Sequence, residues 1–216
     1  MDHKRLTLFA GHYGSGKTNI AVNYALALAK EGKKVCIADL DIVNPYFRTA
    51  DSKAVLEKAG VDLVSPQYAN SNVDLPALPA ASYRLVQDKK TFGVMDIGGD
   101  DRGAYALGRF TPFIKEENDY RMAFVFNSFR PLTRTAEDAL EIMGEIEAAC
   151  GLKFTCIVNN SNLGPETTAE DVLATKETVK NLCELSGLPL WLTTAESKVA
   201  KDLPDAFPLQ LQEKYF

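Results

Sequence analysis

Eight consecutive residues, Gly11-His12-Tyr13-Gly14-Ser15-Gly16-Lys17-Thr18, satisfy G-x-x-x-x-G-K-[ST] without a mismatch. Glycines in such a run let successive backbone N–H groups turn inward on an anion, and a following helix N-terminus adds its positive dipole end. The lysine of the motif reaches the β- and γ-phosphates of a nucleotide, and the neighbouring hydroxyl ligates Mg²⁺. The chemistry implied is capture of a nucleoside triphosphate with Mg²⁺ by Gly11 to Thr18, with Lys17 also assisting catalysis. A glycine-rich strand-to-helix turn that binds nothing is the bland alternative, and the agreement of motif with context weighs against it.

Two acidic segments could complete that chemistry. In Val94-Met95-Asp96-Ile97-Gly98-Gly99, an aspartate follows an apolar run, where a carboxylate can hold Mg²⁺ through a water. The two glycines after it let the chain approach the γ-phosphate and move when that group leaves. In Ile37-Ala38-Asp39-Leu40-Asp41-Ile42-Val43-Asn44-Pro45, strand alternation points Asp39 and Asp41 the same way. One can fix the Mg²⁺ shell and the other can orient an attacking water, which is the main task in phosphoanhydride hydrolysis. Read blandly, Asp96 caps a turn and the D-x-D is a solvated acidic turn with an Asn-Pro stop.

These residues need elements to hold them. Residues 6–10 form a short apolar strand ending in the glycine-rich turn, and apolar positions recur at helical spacing over 17–30. Further strands are expected at 34–38, 92–95, 122–126, 154–158 and 189–192, with a short one at 61–64. Helices are expected over 133–149 and 168–185. Strands without polar alternation, each followed by a helix, mean a largely parallel sheet covered on both faces. The fold class is therefore α/β, a three-layer sandwich with a mostly parallel central sheet, which places its chemistry at the carboxyl ends of the strands. Pro66, Pro76 and Pro79, with Asn70 and Asn72, read as an ordered loop. Neither a repeat nor a linker divides the chain, so residues 1–216 are expected to form a single domain.

Composition limits the partners. With 216 residues, 46% of them hydrophobic, the chain can bury a real core, and a net charge of −5 argues against general binding to nucleic acid or a membrane surface. The four cysteines, Cys36, Cys150, Cys156 and Cys183, form no C-x-x-C pair and read as reduced thiols of a cytoplasmic protein. No apolar run has the length of a membrane span, and the N-terminus has no signal-peptide shape.

Together the loop Gly11–Thr18, the segment Asp39–Asp41 and Asp96 with Gly98 and Gly99 resemble the MinD/ParA group of deviant-Walker P-loop ATPases. That group sits in the wider class holding the nitrogenase iron protein and the signal-recognition GTPases. The resemblance covers most of the chain and is specific in its first hundred residues or so. It implies that Asp39 holds the Mg²⁺ shell with Thr18 and Asp96, and that Asp41 is the catalytic, water-orienting carboxylate. It also implies that Asn159 and the 189–194 segment contact adenine, and that ATP drives a face-to-face homodimer able to engage a protein partner. One departure matters. The group carries a lysine just after the first loop glycine, reaching the partner's phosphates, whereas this chain has His12, followed by Tyr13 where the family has glycine. An imidazole is shorter than a lysine side chain and carries little charge near pH 7.

Other features narrow the role. The run Asn159-Asn160-Ser161-Asn162 lacks the lysine and aspartate of N-K-x-D, so it offers no carboxylate to accept from guanine N1–H and N2–H₂, and ATP is favoured over GTP. Lack of a C-x-x-C disfavours an iron–sulfur carrier, the C-terminus is not a basic amphipathic helix, and no Lys/Arg cluster marks a DNA-binding face. Arg130, beside Pro131 at a strand's carboxyl end, can contact the nucleotide, a partner or an acidic substrate, or be a solvated surface arginine. Tyr46, Phe47 and Arg48 offer either a partner surface or core at a helix start. The leading expectation is a slow Mg-ATP hydrolase acting as a switch. A ligase or phosphotransferase similar to dethiobiotin synthetase and the cobyrinate-amidating enzymes, with 66–79 as its substrate loop, stands second, and a non-hydrolysing nucleotide sensor third.

Overall fold

A computed structural model describes residues 2–40, 49–64, 80–99 and 101–211. Asp41, the aromatic pair Tyr46 and Phe47, Arg48 and the proline-rich loop over 66–79 lie outside the described residues.

Eight strands form one sheet: β1 (Leu6–Ala10), β2 (Val35–Leu40), β3 (Asp62–Val64), β4 (Phe92–Ile97), β5 (Tyr120–Phe126), β6 (Cys156–Asn159), β7 (Leu190–Glu196) and β8 (Ala206–Leu209). Their order across the sheet is β3-β2-β4-β1-β5-β6-β7-β8, and every adjacent pair is parallel. The helices are α1 (Lys17–Lys30), α2 (Lys53–Lys58), α3 (Arg84–Gln87), α4 (Asp101–Gly108), α5 (Thr111–Glu117), α6 (Ala136–Cys150), α7 (Ala169–Ala174), α8 (Lys176–Ser186) and α9 (Ser197–Ala200).

Strand alternation sorts the apolar side chains into two cores. Leu6, Leu8, Ala38 and Phe124 face helices α4, α5, α6 and α8 through Leu107, Ile114, Met143 and Leu182. Phe9, Ile37, Val94 and Val125 face α1 and α2 through Ile20, Ala21 and Leu56. Both faces are therefore covered, as the continuous apolar strands require. Each fully buried Leu, Ile or Phe in these layers contributes roughly 1.5–3 kcal/mol. A parallel sheet aligns all of its strand ends, so the loops after β1, β2, β4, β5 and β6 share one edge.

Three elements differ from the sequence expectation. Helix α6 begins at Ala136 because Thr135 caps it: its side chain accepts from the Asp138 N–H while Asp138 accepts from Thr135 N–H. The helix expected over 168–185 is two helices, α7 and α8, divided at Thr175, whose hydroxyl donates to the Val172 carbonyl at 2.8 Å and accepts from Asn159 at 3.1 Å. Strand β8 contains Pro208 and closes the sheet as an edge strand, where a missing N–H can face away from the ladder.

At the opposite, amino-terminal edge, Arg5 staples the layers. Its guanidinium pairs with Glu117 through both Nε and Nη2 and donates to the carbonyls of Leu85 and Thr91, each at 2.9 Å. Burial alone would raise the Glu117 carboxyl, but hydrogen bonds from Arg5 and Lys89 outweigh it and hold it below the usual range.

Candidate functional site

Strand β1 ends at Ala10 and the loop to α1 follows at once. Gly16 caps α1 with φ 92°, a left-handed conformation, and a Cβ there would collide with the Asn160 amide. Lys17 and Thr18 are thus the first residues of the helix. The Lys17 ammonium donates to the His12 carbonyl at 3.2 Å across the mouth of the loop. The Ser15 N–H closes the same turn on that carbonyl, also at 3.2 Å. Ser15 is fully buried, and among the described residues its Oγ has no hydrogen-bond partner. A buried, unsatisfied hydroxyl within a phosphate loop is the kind of group an incoming phosphate can engage.

His12 folds onto its own loop, Nδ1 donating to the Tyr13 carbonyl at 3.0 Å, while Tyr13 projects into solvent with 55% of its surface exposed. The loop is buttressed from the far strands. Asn160, just past β6, donates to the Ser15 carbonyl at 2.6 Å and accepts from the Thr194 hydroxyl of β7 at 2.6 Å. Arg130, past β5, donates through Nε to the Gly14 carbonyl at 3.0 Å.

The carboxylates arrive on β2 and β4. Val35, Ile37 and Asp39 share one face of β2, and Val94 and Asp96 share the same face of β4, the face that α1 covers. Asp39 and Asp96 are register partners, 2% and 1% exposed, each one residue inside its strand's end. The Thr49 hydroxyl donates to Asp96 Oδ2 at 3.0 Å. Beyond β4 the chain turns back on the loop. A Cβ at Gly99 would sit 2.7 Å from the Tyr13 nitrogen and 2.9 Å from the Lys17 ammonium, so only glycine passes there. Two carboxylates and a hydroxyl, all oxygen donors, suit a hard divalent cation that completes its shell with water and phosphate. No cluster of three or more His, Cys, Asp or Glu suited to a metal occurs among the described residues.

Asn159 departs from its expected place at the base. It is buried behind the site, its amide donating to Thr175 at 3.1 Å and its Oδ1 accepting from Ser161 Oγ at 2.7 Å and Ser161 N at 3.1 Å. As the last residue of β6 it turns inward to anchor α7 and α8, leaving Asn160, Ser161 and Asn162 to line the cleft. That cleft, about 330 Å³, runs from Lys17 and Thr18 past Asn160 to Glu196 and Leu211, a size suited to a small molecule. Its far wall mixes the apolar Val172, Ala195 and Leu209 with the Glu196 carboxylate, which lies 3.0 Å from the Lys198 ammonium. Sequence reasoning missed Thr49 and Glu196, which carry no local motif, while Thr194 lay at the end of the 189–194 segment expected at adenine. Asn160 stood inside the run Asn159–Asn162, but which of its residues faces the loop depends on strand pairing.

All four cysteines are free. Burial pushes the Cys36 and Cys156 thiols up to about 11, which keeps them protonated and inert. Among the described residues no helix is long and apolar enough to cross a membrane.

An all-parallel α/β sheet with a phosphate loop between its first strand and helix defines a nucleotide-binding protein of the P-loop class. Within that class the chain belongs to the family described as the CobQ/CobB/MinD/ParA nucleotide-binding domain, which matches residues 6–184. No curated protein matches the sequence. Among solved structures the chain is similar to the cell division protein FtsY of Thermotoga maritima, with a TM-score of 0.64 and 18% identity over 97% of this chain and 66% of that one. It is also similar to the signal recognition particle receptor FtsY of Elizabethkingia anophelis in complex with GDP, with a TM-score of 0.58 and 19% identity over 98% and 61%. A third is the 54 kDa signal recognition particle protein of Aeropyrum pernix in complex with GDP, with a TM-score of 0.55 and 17% identity over 87% and 40%. This chain spans about two thirds or less of each of those proteins, and at such identity the likeness is one of fold.

Proposed function

We propose that this protein is a cytoplasmic Mg-ATP-binding switch that hydrolyses its nucleotide slowly. The observation that carries the proposal is the convergence of Lys17 and Thr18 with the in-register pair Asp39 and Asp96 on one face of the sheet. Lys17 binds the phosphates, and the loop amides from Gly11 to Thr18 cradle them. Thr18, Asp39 and Asp96 would hold Mg²⁺, which when bound neutralises charge on the β- and γ-phosphate oxygens. Asp41, next on the alternation after Asp39, orients the attacking water. The fully reduced cysteines accord with a cytoplasmic setting.

Adenine is preferred on the chemistry of the β6 turn. Asn162 stands where a guanine-reading carboxylate would be sought, and its side chain is spent within the turn, donating to the Asn160 carbonyl at 2.7 Å and accepting from Gly164 N–H at 3.1 Å. A switch is supported by the chain after β4. Gly99 abuts Tyr13 and Lys17, and Gly103 of α4 packs so closely on Gly98 that a Cβ there would lie 2.5 Å from its Cα. Occupation of the loop thereby bears on α4 through contiguous backbone. Sizing the protein with ADP, ATP and a non-hydrolysable analogue, beside a phosphate-release assay, tests the reading. A triphosphate-dependent dimer with slow release is expected. Tight ATP binding with no release and no change of size would instead make the protein a sensor.

A further inference from the structure

Arg130 is the group at the cleft to which the nucleotide reading gives no task. It follows β5 in the turn Asn127-Ser128-Phe129-Arg130, whose backbone is tied down on two sides. Asn127 is fully buried, and its Oδ1 accepts from the Phe129 N–H at 3.0 Å and the Asn162 N–H at 3.3 Å. Its carbonyl accepts from the Thr133 hydroxyl at 2.7 Å and the Arg130 N–H at 3.1 Å. Pro131 then sets the chain into a short 3-10 turn. The backbone that presents Arg130 is therefore as well positioned as the strands.

The side chain is placed too. Its Nε donates to the Gly14 carbonyl at 3.0 Å, three residues before Lys17, and it lines the same cleft as Lys17 and Thr18. A bond through Nε leaves the two terminal amino groups of the guanidinium unspent. Among the described residues no carboxylate pairs with Arg130, although the chain carries 29 acidic against 24 basic residues. An exposed arginine gains little from a single bond to a carbonyl, because holding its long side chain costs entropy. A guanidinium pinned on a phosphate loop with its donors free is suited to a polyanion, which it meets in a bidentate, charge-assisted way.

We propose that Arg130 is a second phosphate-binding cation, acting in cis on the polyphosphate chain of the nucleotide bound by the same molecule. The proposal rests on the nucleotide-binding reading of the loop. It also explains how the loop functions with His12 at its second position, whose ring is turned onto the Tyr13 carbonyl. The missing charge comes from the β5 turn of the same chain.

Calorimetric titration of the full chain with ATP and, separately, with inorganic tripolyphosphate is the test, using Arg130→Gln and Arg130→Lys. Arg130→Gln should weaken both probes by about tenfold or more, since a charge-assisted pair is lost, and Arg130→Lys, which keeps the charge but not the bidentate fork, should recover part of that loss for both. A lysine variant no better than the glutamine variant would reduce Arg130 to a brace for Gly14 and overturn the proposal. So would a loss seen with ATP but not with tripolyphosphate, which would place the contact on the nucleoside. Mixing Arg130→Gln with Lys17→Ala chains addresses the route: phosphate release should stay no higher than that of Arg130→Gln alone, and recovery in the mixture would show action in trans. If the wild-type chain binds neither probe, the nucleotide reading fails and takes this proposal with it. If the wild type binds both and Arg130→Gln is indifferent, only the role of Arg130 is lost.

Discussion

Asp39 and Asp96 are register partners on the adjacent parallel strands β2 and β4, so two buried carboxylates stand side by side on the face covered by α1. Neighbouring strands lie about 4.8 Å apart. Two like charges at that spacing repel by on the order of 3 kcal/mol at an effective dielectric near 20. A divalent cation bound beside the pair would offset that repulsion, and the Thr49 hydroxyl donates to Asp96 Oδ2.

Asp96→Asn keeps the shape and an acceptor for Thr49 while removing one charge. Its ATP affinity should no longer rise when Mg²⁺ is added. Isothermal calorimetry with and without Mg²⁺ reads this, and a variant that still gains from Mg²⁺ would remove Asp96 from the metal site.

Lys17→Ala should abolish measurable ATP binding, at least a hundredfold loss, because the loop loses its only cation in sequence between Gly11 and Thr18. The circular dichroism spectrum should be unchanged, since Lys17 opens α1 and alanine is a good helix former there. Isothermal calorimetry decides the matter.

Asp41→Asn should leave ATP affinity within about threefold of wild type and slow phosphate release by about a hundredfold or more, since orienting the attacking water is chiefly a transition-state task. Single-turnover phosphate release measures this directly. Normal turnover would show that another group orients the water.

Asn160→Ala should unfasten the phosphate loop. The Ser15 carbonyl loses its donor and the buried Thr194 hydroxyl loses its shorter acceptor at 2.6 Å, keeping the Asn159 carbonyl at 3.3 Å, which costs about 1–3 kcal/mol of stability and weakens ATP roughly tenfold. A double-mutant cycle with Thr194→Val, read by urea denaturation, should show a coupling between the two sites; strict additivity would refute the tie.

Acid should loosen the amino-terminal edge of the sheet. The Glu117 carboxyl is held below its ordinary value of 4.5 in the folded state by Arg5 and Lys89 against the opposing effect of burial. A depressed folded-state value means that the stabilisation is complete above the unfolded value and is lost as pH falls through the folded one. Wild type should therefore lose stability progressively below about pH 4.5. Glu117→Gln, which leaves the buried Arg5 guanidinium unpaired, should be destabilised by roughly 3 kcal/mol at neutral pH and show a flatter acid limb. Thermal melts from pH 7 to 3 compare the two.

Much of the fold was legible because its signals are local. Strands such as Leu6–Ala10 and Val35–Leu40 are apolar throughout, and a strand buried on both faces admits little else. The Thr135 capping box, written in the sequence as Thr-x-x-Asp, sets the start of α6 at Ala136 and not at 133. The break at Thr175 was not legible, since it arises from a bond to Asn159 sixteen residues away. Nor was β8, whose Pro208 argues against a strand until the residue is known to lie on an edge.

The sequence by itself determined the phosphate loop, because Gly11 to Thr18 are contiguous and their spacing is a property of one turn of chain. It also determined the layered α/β architecture, because apolar runs can be buried in few ways. Only the tertiary structure decided that Asp39 and Asp96 lie in register, that Asn160 and not Asn159 meets the loop, and that Arg130 rests on Gly14. Those relationships join residues dozens of positions apart. They depend on strand order and register, which the packing of the whole sheet sets and which no local run of residues specifies.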